Sequence, residues 1–147
     1  MTKFPTRGGD SGRPILLSDQ QGFDRRWFAP NLNAVYAPTR REQVADCVAN
    51  ALSTYGKHVK VTSGRHCYEN FVYNDTTQAV IDMSGVNQVG FDNARNAYFV
   101  DAGCENWTVY RTLLNTTAKP RLPIRVIPWF DGVFNSPQLS TFHVLDR

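Results

Sequence analysis

A chain of 147 residues that is 41% hydrophobic has the size and apolar content of one globular domain, which excludes a disordered chain. Its 16 Lys and Arg residues are scattered among 13 Asp and Glu residues, and no basic block favours nucleic-acid binding. No apolar segment is long enough for a signal peptide or a membrane span, so we expect a soluble protein, cytoplasmic by default. Three cysteines without a CxxC spacing predict neither structural zinc nor a disulfide framework.

The first 30 residues are predicted to form an extended arm. Residues 1–20 are polar and rich in glycine, and they include Pro5 and Pro14. From residue 22 to residue 30, aromatic and charged residues alternate, which indicates either a short helix packed on the domain or a platform on which nucleic-acid bases stack. We favour the packed helix, because a stacking platform needs a wider basic groove.

A helix is predicted from Thr39 to Tyr55. It follows a short strand over residues 34–37, and Thr39 and Glu42 have the spacing of a capping box, in which each side chain accepts the other's backbone N–H group. Apolar residues then recur every three or four positions, and Gly56 stands where a left-handed helix cap is expected.

The loop over residues 63–66 is predicted to lie at the carboxyl end of a strand. The strand over residues 58–62, the preceding helix and the strand over 34–37 together predict a βαβ unit with parallel strands and a right-handed crossover. Ligands collect at such strand ends in open α/β sheets. Since Gly64 tolerates a turn whose N–H groups converge on an anion, the sequence predicts a phosphate-bearing ligand.

The second half of the chain contains three further predicted elements. Residues 78–83 read as a buried strand, with Asp82 as a cap or turn residue at its end. Residues 88–92 and 97–102 read as a hairpin, and residues 105–114 read as a short helix. After this helix four prolines fall close together, and no periodic pattern continues.

Three segments in order resemble one flavoprotein family. They are VKVTSGRHCYENF (residues 59–71), AVIDMS (residues 79–84) and VDAGC (residues 100–104), followed by Val109 and Tyr110. Together they look like the first half of the FAD-binding domain of berberine-bridge-enzyme-like flavoproteins, which belong to the vanillyl-alcohol-oxidase/p-cresol-methylhydroxylase (PCMH) group. The resemblance covers about residues 30–114 and is far more specific than a single glycine motif.

The resemblance implies a cofactor site for FAD. The loop over residues 63–66 would cradle the pyrophosphate, and His66 would be bonded covalently to the 8α-methyl group of the flavin ring. Tyr68 and Phe71 would wall the flavin, and Gly103 would let the backbone approach it. The implied cofactor-binding residues are Ser63, Gly64, Arg65, His66, Cys67, Tyr68 and Gly103. No residue is assigned as a catalytic base, and no metal is implied.

Two departures from the family accompany this resemblance. Arg65 stands where the family usually has a second glycine, and it would bring a guanidinium near the diphosphate. In many relatives a cysteine within a glycine-rich segment makes a second flavin bond, but residues 125–130 of this chain read RVIPWF. The substrate domain of intact relatives has no counterpart here, so the sequence predicts a truncated α+β protein.

The predicted organisation is an arm (residues 1–30), an FAD-binding lobe with a βαβ unit and an antiparallel hairpin (31–115), and a Pro-rich tail that does not match the family (116–147). The implied function is that of an FAD-dependent oxidase of an alcohol, a sugar or another small secondary metabolite. Hydride would pass to flavin N5, with dioxygen as the acceptor. The alternative is a non-catalytic remnant with weak or no nucleotide binding. The missing C-terminal FAD and substrate domains would complete an intact relative.

Overall fold

A four-stranded mixed sheet organises this chain, whose structure, a computed structural model, describes residues 4–116. The strands in chain order are β1 (Thr6–Gly8), β2 (Ala34–Tyr36), β3 (Val59–Thr62) and β4 (Ala79–Asp82). They lie in the spatial order β1, β2, β4, β3. β1 is antiparallel to β2, whereas β2 and β3 both run parallel to β4.

The strands on either side of the predicted helix are separated in the sheet. β2 and β3 run in the same direction but are not neighbours, because β4 lies between them. All four residues of β4 are buried, which is typical of a parallel strand covered on both faces. The buried strand predicted over residues 78–83 is therefore confirmed, and it forms the middle of the parallel part of the sheet.

Apolar clusters cover both faces of the sheet, since successive side chains of a strand point to opposite faces. Val35 of β2 and Val80 of β4 join one cluster, together with Tyr73. Ala34 of β2 and Ile81 of β4 join the other. These β2 and β4 residues are at most 2% exposed, so the two strands form the centre of the core.

Helix α1 (Val44–Tyr55) packs on the second cluster. Its Cys47 and Ala51 are fully buried. Burial raises the pKa of the Cys47 thiol to about 11, in keeping with a small core residue. The helix ends at Tyr55 as predicted. Gly56 follows with a φ of 54°, a value that favours glycine, but its ψ of -127° differs from that of the predicted left-handed cap.

The start of α1 differs from the prediction. A single 3-10 turn (Arg41–Gln43) comes first, so the regular helix begins at Val44 and not at Thr39. The side-chain oxygen of Gln43 accepts the N–H groups of Thr39 at 2.8 Å and of Arg40 at 3.2 Å. The predicted capping role of Glu42 is wrong, because Glu42 faces solvent while Gln43, one residue later, is buried.

The hairpin and the second helix are confirmed. Strands β5 (Val89–Asp92) and β6 (Ala97–Val100) pair antiparallel. The Asp92 carboxylate accepts the N–H group of Ala94 at 2.9 Å and fixes the turn between them. Helix α2 (Asn106–Thr116) follows, one residue later than predicted at its start and two residues longer at its end.

The N-terminal segment is attached to the sheet. β1 forms an edge strand beside β2, so the segment predicted as an arm contributes to the fold. The short helix predicted over residues 22–30 is wrong, because this stretch forms bends and turns. Trp27 packs against the first core cluster, while Phe23 remains 76% exposed.

Within residues 4–116, no helix has the length and apolar character needed to cross a membrane. The predicted Pro-rich tail lies, apart from Thr116, outside the described residues, as does the segment over residues 125–130.

Candidate functional site

The loop over residues 63–68 leaves the carboxyl end of β3, beside the carboxyl end of the parallel strand β4. The Ser63 hydroxyl donates a hydrogen bond to the backbone oxygen of Ala102 at 2.7 Å. This bond brings the loop next to Gly103, which lies 40 residues away in sequence from Ser63. Both segments that the resemblance assigns to one cofactor site are therefore adjacent.

Arg65 is the residue of this loop whose backbone has a positive φ, at 59°. A side chain in this region is strained by about 1–2 kcal/mol relative to glycine. The guanidinium offsets that strain through contacts with the protein. It donates to the Asp82 carboxylate at 2.6 Å and to the backbone oxygen of Ser18, and it lies 3.7 Å from Asp19. The positive charge predicted to face a diphosphate is thus paired within the fold.

Arg65 belongs to a network of two cations and two anions, which we call the ion network: Arg7, Asp19, Arg65 and Asp82. Arg7 donates to both carboxylate oxygens of Asp19, at 2.8 and 2.5 Å, and lies 4.0 Å from Asp82. Burial alone would raise the pKa of Asp19. The hydrogen bonds from Arg7 and from the Leu16 N–H group, with the charges of both arginines, lower it overall. Asp19 is therefore ionised in the folded protein at neutral pH.

Asp82 has the capping role predicted for it and a second one. Its Oδ1 accepts the N–H group of Ser84 at 3.1 Å, which caps the turn after β4. Its Oδ2 pairs with Arg65. The strand-end carboxylate therefore links the centre of the sheet to the candidate loop.

The imidazole of His66 is half-buried and stacks on the phenyl ring of Phe23. The ring centroids are 5.3 Å apart and the planes are inclined by 27°. Cys67, the next residue, packs against the first core cluster, and burial raises the pKa of its thiol. Tyr68 and Phe71 follow His66 closely in the sequence. They are 64% and 71% exposed, so both present aromatic surface to solvent.

A cavity of about 200 Å³ lies beside the loop. It is lined by residues of the N-terminal segment and of the loop: Ser18, Gln21, Gly22, Phe23, Arg25, Gly64 and Arg65. Arg25 is exposed and forms no hydrogen bond or ion pair with the rest of residues 4–116. A free guanidinium beside polar side chains and glycine backbone has the chemistry of an anion site.

The size of this cavity limits what it holds. Pockets for whole drug-sized ligands measure about 300–1,000 Å³. This cavity therefore has room for one anionic portion of a dinucleotide, such as a diphosphate, and is too small to enclose an entire FAD molecule.

Gly103 lies where a side chain would clash with the backbone of the fold. A Cβ atom at this position would lie 2.0 Å from the backbone oxygen of Met83 and 2.7 Å from that of Val86. The fold itself therefore requires glycine here, because of the turn after β4. The predicted approach of Gly103 to the cofactor stays a prediction. The neighbouring Cys104 thiol donates to the Gln88 backbone oxygen at 3.4 Å, and burial raises its pKa. Among the described residues, no group of three or more His, Cys, Asp or Glu side chains is placed to bind a metal ion.

Sequence reasoning missed the contribution of the N-terminal segment to this site. Ser18, Asp19 and Phe23 contact the loop from more than 40 residues away, and no local pattern marks them. The one sequence signal for these contacts is Arg65, which stands where the family usually has glycine. An arginine in a strained backbone conformation needs stabilising contacts from other residues.

A scan against models of known protein families finds no match for this chain. Individual relatives are found. The hexose oxidase of Chondrus crispus is 35% identical over 105 residues, which are 71% of this chain and 19% of that protein. An aclacinomycin-N/aclacinomycin-A oxidase of Streptomyces galilaeus is 38% identical over 93 residues, which are 63% of this chain and 17% of that protein.

Solved structures of flavoenzymes share the fold. A glycopeptide hexose oxidase, solved with teicoplanin, superposes with a TM-score of 0.69 at 29% identity, over 78% of this chain and 22% of that one. A berberine-bridge-enzyme-like protein of Arabidopsis thaliana superposes with a TM-score of 0.50 at 25% identity, over 60% of this chain and 18% of that one.

The mixed sheet with few helices is consistent with a partial PCMH-type FAD-binding domain. The resemblance predicted from the sequence is confirmed, because the chain is homologous over part of its length to berberine-bridge-enzyme-like FAD-linked oxidoreductases. The chain spans about a fifth of the length of the curated relatives it matches.

Proposed function

We propose that this chain provides the N-terminal part of an FAD site in a flavin-dependent oxidase. The observation that carries the proposal is the position of the loop over residues 63–68. The loop lies in a segment that resembles the flavoprotein family, at the end of a strand, with an exposed aromatic surface and an adjacent anion-sized cavity. In this proposal, residues 31–115 form the FAD-binding lobe. The N-terminal segment before them contacts the loop over residues 63–68 and fixes its position.

The described residues would bind the cofactor in two ways. Gly64 and Arg25 line the cavity, and the free guanidinium of Arg25 favours a negatively charged diphosphate there. Tyr68 and Phe71 would cover the flavin ring with apolar surface that is now exposed to solvent. Ser63 would hold the loop against Ala102 through its hydroxyl group.

His66 would supply the nitrogen for a covalent bond to the flavin 8α carbon. A neutral imidazole nitrogen is a competent nucleophile, and the half-buried ring is accessible at the loop surface. Forming this bond would remove one hydrogen from the imidazole and one from the methyl group, and dioxygen would take up both hydrogens with their two electrons as hydrogen peroxide. Such a bond would retain the cofactor on a site that encloses only part of it.

When bound, FAD would accept a hydride at N5 from a C–H bond of an alcohol, a sugar or another small secondary metabolite, with dioxygen as the final acceptor. The loop residues would bind and orient the ring for this reaction. The resemblance implies that the base that removes the substrate proton belongs to the C-terminal substrate domain of an intact relative.

Flavin binding by the chain tests this proposal. The purified 147-residue chain is incubated with FAD, freed of excess cofactor, and its visible spectrum is recorded before and after acid precipitation. We expect a flavin spectrum in both samples for the wild type and for His58→Ala, a histidine whose ring contacts the Thr76 backbone oxygen.

The same experiment separates FAD binding from covalent attachment at His66. His66→Ala is expected to bind FAD but to release it completely into the acid supernatant. A protein that remains colourless and takes up no added FAD refutes the proposal and favours a non-catalytic remnant.

A further inference from the structure

The N-terminal segment holds the candidate loop through several independent contacts. The Phe23 N–H group donates to the backbone oxygen of Arg65 at 2.8 Å, and the Trp27 indole N–H donates to that of Tyr68 at 3.0 Å. A Cβ atom on Gly22 would lie 2.7 Å from the Arg65 oxygen, so the two backbones touch. Residues 22–27 therefore contact the loop on both sides of His66.

Phe23 has a side chain that the fold itself does not need. It is 76% exposed, and it belongs to neither core cluster. A large apolar ring in this position gains little from burial. Its ring contact is with His66, at a centroid distance of 5.3 Å and a small interplanar angle of 27°.

This contact restricts the imidazole. The Phe23 backbone is fixed to Arg65, the residue before His66, so the phenyl ring and the imidazole are anchored to the same point of the chain. A side chain stacked on a ring held in this way has fewer accessible rotamers. Holding a reacting group in one orientation lowers the entropy lost when the bond forms.

We propose that Phe23 is a positioning residue that orients the His66 imidazole for covalent attachment to the flavin. The inference rests on the proposed function of His66, and it assigns to the N-terminal segment a role in cofactor loading. Phe23 also lines the cavity beside the loop, so this residue contacts both the anion-sized space and His66.

Two measurements on the 147-residue chain test this role. The first is the NMR spectrum of the flavin-free protein, in which the imidazole C–H signals of His66 should carry a ring-current shift from Phe23. Phe23→Leu is expected to abolish that shift and to leave the His58 signals unchanged, since His58 contacts a different part of the chain.

The second measurement is the rate at which flavin becomes acid-stable after FAD is added. Phe23→Leu is expected to slow attachment about five- to tenfold, the scale set by losing one aromatic stacking contact. Phe23→Tyr should restore the wild-type rate because it keeps the ring. Phe91→Leu serves as the matched control, since Phe91 is an exposed phenylalanine of the hairpin whose ring meets that of Tyr98 edge-on, away from His66.

The outcomes distinguish the positioning role of Phe23 from the proposed function on which it rests. If the wild type forms the covalent bond and Phe23→Leu forms it at the same rate, the positioning role is overturned and the proposed function stands. If the His66 signals do not change in Phe23→Leu, the stacking contact does not exist in solution and the inference is overturned. If the wild type binds FAD but never attaches it, the covalent role of His66 and this inference are overturned while the FAD site stands. If the wild type takes up no FAD, the proposed function fails as well.

Discussion

Replacing Asp19 with asparagine removes one anion of the ion network while preserving the shape of the side chain. The Asp19 side chain is 1% exposed and lies against two arginines. It accepts two hydrogen bonds from Arg7 and one from the Leu16 N–H group, at 2.5 to 3.0 Å. An amide retains at most part of this acceptor capacity, and it leaves the positive charge of Arg7 without its principal partner.

The structure sets the expected size of the loss. Breaking a fully buried ion pair costs about 3–5 kcal/mol. Because the Arg7 side chain is 26% exposed, water offsets part of that cost, and we expect the free energy of unfolding to fall by about 2–3 kcal/mol. In urea, this corresponds to a fall in the unfolding midpoint of about 1–2 M.

The effect depends on pH in a defined direction. The pKa of Asp19 is lowered on folding below its ordinary value of 3.8, so its stabilisation is complete above that value. The stabilisation is lost as the pH falls through the lower, folded-state pKa. The difference between wild type and Asp19→Asn should therefore be full at pH 7 and shrink below about pH 4.

Urea unfolding at pH 7, followed by circular dichroism, measures this difference. Asp24→Asn is the control, because Asp24 forms its 2.6 Å ion pair with the exposed Arg26 at the surface, and its unfolding midpoint should match the wild type. An Asp19→Asn midpoint equal to that of the wild type at pH 7 would refute the stabilising role of the ion network.

Three further substitutions test particular contacts by the same unfolding assay. Gln43→Ala should lower the free energy of unfolding by about 1–2 kcal/mol because two capped N–H groups lose their acceptor; an equal loss in Glu42→Ala would contradict the cap assignment. Gly103→Ala should cost about 3 kcal/mol through its backbone clash. Gly12→Ala, which meets nothing within 4 Å, should cost only the strain of its positive φ, about 1–2 kcal/mol; equal costs would show that the clash is relieved. Arg65→Gly and Arg65→Ala both lose the pair with Asp82, but at a φ of 59° the alanine variant should melt about 4–8 °C lower. Equal melting temperatures would contradict the backbone strain assigned to this position.

Local patterns in the sequence were sufficient to predict the elements whose formation depends mainly on neighbouring residues. The apolar spacing and Gly56 predict the end of α1, and the alternating residues around Asn93 predict the hairpin. The same reasoning placed the loop after β3 at a strand end, because a strand followed by a glycine turn is a local signal.

Contacts between distant residues could not be predicted in this way. β4 lies between β2 and β3, although it follows both in the sequence. Gln43 and not Glu42 caps the helix, because which of the two adjacent polar residues faces inward depends on the packing around it. In the candidate site, the stacking of Phe23 on His66 joins residues that no spacing rule connects.

The covalent bond at His66 is tested most directly by mass spectrometry of the chain produced with FAD. Trypsin cleaves after Arg65 and Arg95, so His66 is the first residue of the peptide over residues 66–95 and its only histidine. We predict that this peptide gains the mass of one FAD less two hydrogens, and that fragmentation places the flavin on His66 and not on the adjacent Cys67. An unmodified peptide, or a flavin located on the cysteine, would contradict the proposed attachment.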